Sequence, residues 1–266
     1  QLNDAINAAI DLANNDVKEI VLTGIEISSY GRDLADKPDL VNLIDSICKA
    51  VPNVRIRLGS LEPRTADERF CKVLSVHSNL MPHFHLSLQS GCDSVLKRMK
   101  RKYSAQTFFN NTELLRKYFP NCSITTDIIV GFPDETDDEF AQTMDFVKKC
   151  KFSALHVFPY SRRNGTIAAN MPNQIDEQIK KQRANTLKNL GYKLQENYLK
   201  SFIGQTLPVL WEHQDADGLW CGHAQYNFIV KTNDKNCFKN QYHSAKVIDI
   251  KDDYLISSPV NLTNKT

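Results

Sequence analysis

Hydrophobic positions along this chain fall into blocks whose spacing switches between two periods. Leu2, Ala5, Ile6, Ala9, Ile10 and Ala13 recur at the spacing of an amphipathic helix that ends near Asn14-Asn15. VKEIVL (17–22) then predicts a short strand closed by Thr23-Gly24. The same alternation continues: a helix over 40–47, a strand over 54–58 closed by Gly59-Ser60-Leu61-Glu62-Pro63, and a helix over 66–77. A strand over 83–88 runs into Gln89-Ser90-Gly91, followed by helices over 94–99 and 105–118. A strand over 123–130, a helix over 137–149 and a strand over 153–158 complete the series. Five helix–strand alternations imply a parallel sheet or barrel. Because a helix comes first, with no strand before it, the expected fold is α/β, a partial six-stranded (β/α) barrel whose first strand is missing.

A proline-bearing connector (168–174) leads to a long helix over 175–200, with Ile179, Leu187, Leu190, Leu194 and Tyr198 along one stripe. Its Lys180, Lys181, Arg183, Lys188 and Lys193 are expected to be mostly a solvated face. Beyond Phe202 the pattern turns to short strands, TLPVLWE, GLWCGHA, NFIVKT, SAKVIDI and YLISS, punctuated by Asp217-Gly218, Asn233-Asp234 and Asp252-Asp253. This predicts a small five-stranded, OB-like β-barrel of the nucleic-acid-binding kind. The expected organisation is therefore one unit over 1–200 and a second over 201–266.

Composition narrows the function. A net charge of +2 on a chain with 24% charged residues excludes a polyanion-coating protein, so nucleic-acid contacts must come from local patches. No apolar run approaches the roughly 20 residues of a bilayer span, and there is no secretory h-region, so a cytoplasmic protein without membrane association is expected. The seven cysteines (Cys48, Cys71, Cys92, Cys122, Cys150, Cys221, Cys237) show no CxxC or other close ligand spacing and read as reduced core thiols. His85 and His156 read as barrel-lining rather than metal-binding. The absence of a Walker loop and of a Ser-His-Asp ordering argues against nucleotide hydrolysis and serine catalysis.

The organising stretch is TTDIIVGFPDET (125–136). Ile128, Ile129 and Val130 read as a strand buried on both faces, and Thr136 as the N-cap of a helix whose first turn is acidic. In parallel α/β barrels the loops after the strands carry the chemistry. Here those loops carry Thr23 and Gly24, Ser60 and Glu62, Gln89 with Ser90, and Asp127 with Gly131. Each alone reads equally as turn chemistry; four on successive strand ends make a shared cleft. Tyr160, Arg162 and Arg163 could grip a phosphate and stack on a base, or form an ordinary surface loop. In the small barrel Trp211, Trp220, Tyr226 and Phe228 alternate with His213, His223 and Lys231. Some of these rings must fill the core, while Trp220 and Tyr226 beside Lys231 could form a base-stacking platform.

The segments EIVLTGIEISSYGRDL, RIRLGSLEP, HFHLSLQSGCDSVLKRMKRKYS, TTDIIVGFPDETDDEF and HVFPYSRRNGTIAA, in this order, resemble the radical S-adenosylmethionine methylthiotransferases. They are most similar to the branch that modifies N6-threonylcarbamoyladenosine in tRNA. The last domain is similar to the TRAM module, an RNA-binding β-barrel. The resemblance implies a 4Fe–4S cluster fed by a reducing electron donor, cleavage of S-adenosylmethionine to a 5′-deoxyadenosyl radical, and methylthiolation at C2 of the modified adenosine beside the anticodon. A second, auxiliary cluster is implied for sulfur delivery. Thr23 and Gly24 match the segment near the methionine amino group; Ser60, Glu62, Gln89, Asp127 and Gly131 match other strand ends facing the cofactor. Tyr160 to Arg163 match the loop near the reaction centre, and the TRAM module would hold the tRNA. The family's CxxxCxxC motif does not occur in this sequence, which begins at Gln1 inside a helical pattern. A fragment holding neither cluster, and inactive by itself, is therefore expected. Two other readings stand beside this one: the same chemistry on a ribosomal-protein aspartate, and a non-catalytic RNA-binding protein.

Overall fold

The computed structural model describes residues 1–259, so the stretch 260–266 of the expected second unit lies outside the described residues. The helix-first alternation holds: α1 (Leu2–Asn14), β1 (Glu19–Leu22), α2 (Leu40–Ala50), β2 (Arg55–Leu58), α3 (Glu68–Leu74), β3 (His83–His85), α4 (Asp93–Arg98), α5 (Ala105–Tyr118), β4 (Ser123–Val130), α6 (Asp137–Cys150), β5 (Ala154–Pro159) and α7 (Glu177–Lys200). β1 pairs parallel with β2, and β3, β4 and β5 pair parallel in chain order. Isolated bridges from Ile56 to Leu80 and from Leu61 to Leu86 join the two pieces. The result is a parallel sheet whose strands run in sequence order with helices between them, the expected partial barrel.

Two elements are shorter than their periodicity suggests. The strand expected over 83–88 ends at His85 because the following residues change partner: the Ser87 N–H donates to the Leu61 carbonyl and the Gln89 N–H to the Asp127 carbonyl. The helix expected over 66–77 begins only after Asp67, whose side chain accepts the Phe70 N–H as an N-cap, and Pro63–Thr65 before it form a 3-10 turn. As expected, Thr136 caps α6, and Glu139 returns the bond to the Thr136 N–H as a capping box.

Strand alternation puts Ile56, Phe84, Ile124, Ile128, Val130 and Val157 against the helices, where they join the core built with α2, α3, α5 and α6. Ile129 departs from the expectation of burial on both faces. It is partly exposed, because the opposite face of this sheet is polar rather than packed.

The second barrel closes in the order β10-β8-β7-β6-β9, from β6 (Thr206–Gln214), β7 (Trp220–Ala224), β8 (Ile229–Thr232), β9 (Gln241–Lys251) and β10 (Tyr254–Pro259). Its core holds Phe202, Val209, Trp211, Tyr226, Phe228 and Val247. α7 serves both cores: Ala184 and Leu187 belong to the first, Leu199 to the second. Gly191 lets α7 lie against β5, since a Cβ there would sit 3.2 Å from the Leu155 side chain. Lys181, Lys188 and Lys193 are exposed as expected, but Lys180 and Arg183 are buried, and Ile179, expected in the apolar stripe, is exposed. The reason is local. Arg183 pairs with buried Glu135 at 2.8 Å, and the Lys180 stem covers Gly131.

Candidate active site at the strand ends

Backbone hydrogen bonds draw the loops after the strands into one row. The Gly59 N–H donates to the Leu22 carbonyl, Leu61 to His85, Gln89 to Asp127, Ile129 to Gln89, and Tyr160 to Val130. Thr23 therefore lies beside Gly59, where an added Cβ would come within 2.9 Å of Thr23 Oγ1. Thr23, Gly24 and Ser60 are exposed at this rim, and a Cβ at Gly24 would meet nothing nearer than the Ile27 backbone at 3.9 Å. That leaves open backbone for a ligand to approach. Gln89 is buried and held at φ +70°, a left-handed conformation uncommon for a side-chain-bearing residue. Such strain, fixed from both sides by β4, is the kind stored at functional sites.

Glu62 and Ser60 line a cavity of about 400 Å³ together with Ser28, Arg64, Arg101 and Tyr103. The Glu62 carboxylate accepts from Arg64 at 2.8 Å, and its backbone N–H donates to Ser28 Oγ. The Tyr103 hydroxyl donates to the Ser87 and Leu88 carbonyls, which anchors the Lys100–Arg101–Lys102 turn beside this cavity. Among the expected residues, Thr23 and Gly24 open instead onto a neighbouring cavity of about 660 Å³ bounded by α1.

Below the rim the inner face of the sheet is polar, which the sequence reading only half anticipated. Register places Glu19, Arg55 and Arg57, His83 and His85, Thr125 and Asp127, and His156 on one side. Asp127 lies 3.1 Å from His85 Nε2, and Thr125 Oγ1 lies 2.9 Å from His85 Nδ1 and 3.2 Å from His83 Nε2. The hydrogen bond from His85 holds the Asp127 carboxyl below the usual carboxylate range. Burial pushes His83 down to about 3, with Arg57 and the neighbouring histidines adding to the shift, so its ring is neutral. His85 and His156 line the barrel as expected, with ring centroids 5.5 Å apart, but His156 is exposed rather than enclosed. His83, Thr125, Arg57 and Glu19 were missed. The available signal was the polar alternation in Arg55-Ile56-Arg57 and His83-Phe84-His85.

Gly131 sits at φ +70°, and a Cβ would lie 2.4 Å from Lys180 Cγ. Its N–H donates to Glu135 Oε2 at 2.7 Å. Its glycine is thus required by a turn and by α7, whatever else it contacts.

The expected RNA-facing residues divide. Arg162 and Arg163 are exposed after β5 and make no ion pair among the described residues. Tyr160 packs its ring on Phe132, with the hydroxyl buried and unpartnered, so it does not offer a free stacking face. Tyr226 is 7% exposed and lies against Phe202 and Phe228; it fills the core of the small barrel, correcting its place in a stacking platform. Trp220 is partly buried against the same core. Lys231 does lie outward, paired with Asp215 at 2.9 Å and 4.4 Å above the Tyr254 ring. Tyr254 is the outward aromatic that the sequence reading passed over.

The seven cysteines are buried and free, and burial pushes the thiols of Cys48, Cys71, Cys122 and Cys150 up to about 12. No three of the seven converge among the described residues. The residues of this chain therefore do not fit an iron–sulfur cluster, whereas the open, polar strand ends fit a small polar cofactor such as S-adenosylmethionine.

In parallel (β/α) barrel enzymes the loops at the strand ends build the active site, and this chain has that architecture. The sequence profile of the Radical SAM superfamily matches residues 1–147, and the chain belongs to that superfamily. It is 38% identical over 90% of its length to the threonylcarbamoyladenosine tRNA methylthiotransferase MtaB of Thermotoga maritima, covering 54% of that protein. Over 79% of its length it is 40% identical to MtaB of Bacillus subtilis, covering 46% of it. It is also 37% identical over 94% of its length to the tRNA-2-methylthio-N(6)-dimethylallyladenosine synthase of Alkaliphilus oremlandii, covering 54%. The chain thus spans about half the length of the curated relatives it matches. Among solved structures, coproporphyrinogen III oxidase from Escherichia coli, a radical SAM enzyme, superposes with a TM-score of 0.53 at 15% identity, over 74% of this chain and 46% of that one. That likeness shows the fold.

Proposed function

We propose that the protein carrying this chain methylthiolates C2 of N6-threonylcarbamoyladenosine beside the anticodon of tRNA. The observation that carries this reading is the identity of 36–40% to MtaB proteins over 79–90% of the chain. S-adenosylmethionine, when bound, supplies the radical chemistry. The chain's own residues hold and orient. The open backbone at Thr23-Gly24 receives the methionine end, and Ser60 and Glu62 face ribose hydroxyls or the ammonium. Gln89 is fixed at the rim by its strained backbone, and Gly131 turns the chain away from it. Asp127, kept ionised by its hydrogen bond from His85, would supply a fixed negative charge below the strand-end rim. Arg162 and Arg163 take tRNA phosphates, and the Lys231–Tyr254 face of the small barrel supports the RNA. With no three-cysteine set of its own, the chain alone is inert towards S-adenosylmethionine.

The test is a nucleoside digest of tRNA from a strain lacking the gene, with the intact gene restored as control. Loss of 2-methylthio-N6-threonylcarbamoyladenosine is the expected result. Loss of the 2-methylthio-dimethylallyl nucleoside instead would transfer the substrate to the other relatives' chemistry. An unchanged methylthio profile would overturn the enzymatic reading.

A further inference from the structure

In the small barrel, far in sequence from the strand-end site, three donor groups of different chemistry converge. Asp234 and Cys237 lie on the loop after β8, and His243 lies in β9. A carboxylate oxygen, the Cys237 Sγ and an imidazole nitrogen all fall within 4.8 Å of one another. Asp234 and Cys237 are buried, at 5% and 2% exposure, and His243 is partly buried. Asp234 makes no ion pair with a lysine or arginine among the described residues, although Lys235 and Lys239 are close in sequence and exposed. Its Oδ1 accepts only the Asn236 N–H, at 2.9 Å. A buried carboxylate without a cation is costly, and buried charges are ordinarily paired or bound to metals.

We infer that Asp234, Cys237 and His243 form a zinc site that clamps the β8–β9 loop onto β9. Oxygen, thiolate and imidazole donors together select zinc among common divalent ions, and water completes a tetrahedral set. On binding, the Cys237 thiol releases its proton to solvent and the metal takes the thiolate. Burial beside Asp234 otherwise pushes this thiol up to about 11, so without a metal it stays protonated at neutral pH. The donors come from two separate segments, so a bound metal ties the β8–β9 loop to β9. This inference is independent of the methylthiotransferase reading, because it uses no residue of the strand-end site.

The experiment uses the 266-residue chain, stripped with chelator and titrated with Zn²⁺ or with Co²⁺ as a spectroscopic substitute. One equivalent of zinc per chain is expected, with a thiolate-to-cobalt charge-transfer band. The band should vanish in Cys237→Ser and persist in Cys221→Ser, the other barrel thiol. His243→Ala and Asp234→Asn should weaken binding by roughly 10- to 100-fold or more, since even the outer partners of metal ligands contribute that much. If Cys237→Ser does not fold, Asp234→Asn carries the comparison, because asparagine keeps the acceptor for the Asn236 N–H. No stoichiometric zinc in the wild-type chain, or a cobalt spectrum unaltered by these substitutions, would overturn the site.

Discussion

At the scale of single residues, Gly131 and Glu139 show how much one position carries. Gly131→Ala forces a left-handed φ on alanine and drives its Cβ into Lys180, so a loss of about 1–3 kcal/mol is expected by urea denaturation. Adding Lys180→Ala should recover the steric part and leave the backbone part. Recovery to wild-type stability would show that φ is not strained there. Glu139 accepts from Arg98 and Ser94 and closes the α6 capping box, and Arg98 foremost holds its carboxyl down to about 2. A carboxyl depressed on folding contributes stability that is present above its unfolded value, near 4.5, and is lost as pH falls towards 2. Glu139→Gln should therefore cost about 1–2 kcal/mol at neutral pH, after discounting for solvent screening, with the difference from wild type shrinking through that window. A difference that does not change between about pH 6 and about pH 2 would refute this account.

At the scale of elements, the loop after β5 is where the proposed contact with tRNA is most directly tested. Arg162 and Arg163 are exposed and make no ion pair among the described residues, so, on the proposed function, each replacement by alanine should weaken tRNA binding without lowering the melting temperature. Each should also reduce the slope of log affinity against log salt by about 0.7–0.9. A salt slope identical to wild type in the double variant would remove these arginines from the interface. The same scale explains where strand periodicity misleads. The stretch 83–88 alternates like one strand, yet its hydrogen bonds pass from β4 to Leu61 and back to Asp127, so regular strand ends at His85. α7 misleads in the opposite way: Lys180 and Arg183 look like a solvated face, but Gly131 and Glu135 are brought up against them from the sheet.

At the scale of the whole molecule, two arginines of β2 join the barrels. Arg55 donates to the Pro208 and His223 carbonyls, and Arg57 donates to the Gln225 carbonyl while forked onto Glu19 at 2.6 and 3.0 Å. Tyr242 and Asn240 add contacts to Lys18 and Asp16 near β1. Arg55→Ala leaves two carbonyls without their donor and should cost about 2–4 kcal/mol. Calorimetry is then expected to resolve two transitions in the variant and one in the wild type. A single transition at wild-type temperature would mean that α7 and the remaining contacts of Arg57, Tyr242 and Asn240 couple the two barrels without Arg55. Anaerobic reconstitution of this chain with iron and sulfide should yield no 4Fe–4S absorption, because its thiols are dispersed and buried. A stable cluster would refute the claim that the cysteines here are core residues.

The order of helices and strands, the partial parallel barrel, the five-stranded barrel after it and the cap of α6 were legible in the residues alone. Periodicity records which face of an element is buried, and capping is a local bargain between neighbouring groups. The strand-end candidates were legible too, because parallel topology fixes which end of the sheet the loops meet. Only the tertiary structure decided which polar groups pair: His85 with Asp127, Arg55 with the small barrel, Lys180 over Gly131, and Asp234, Cys237 and His243 in one cluster. It also decided that Tyr226 is core while Arg162 and Arg163 are exposed. Apart from the cluster of Asp234, Cys237 and His243, which spans one loop and the start of β9, these are contacts between residues far apart in the chain. Their distances depend on how the elements pack, and no spacing along the sequence encodes that.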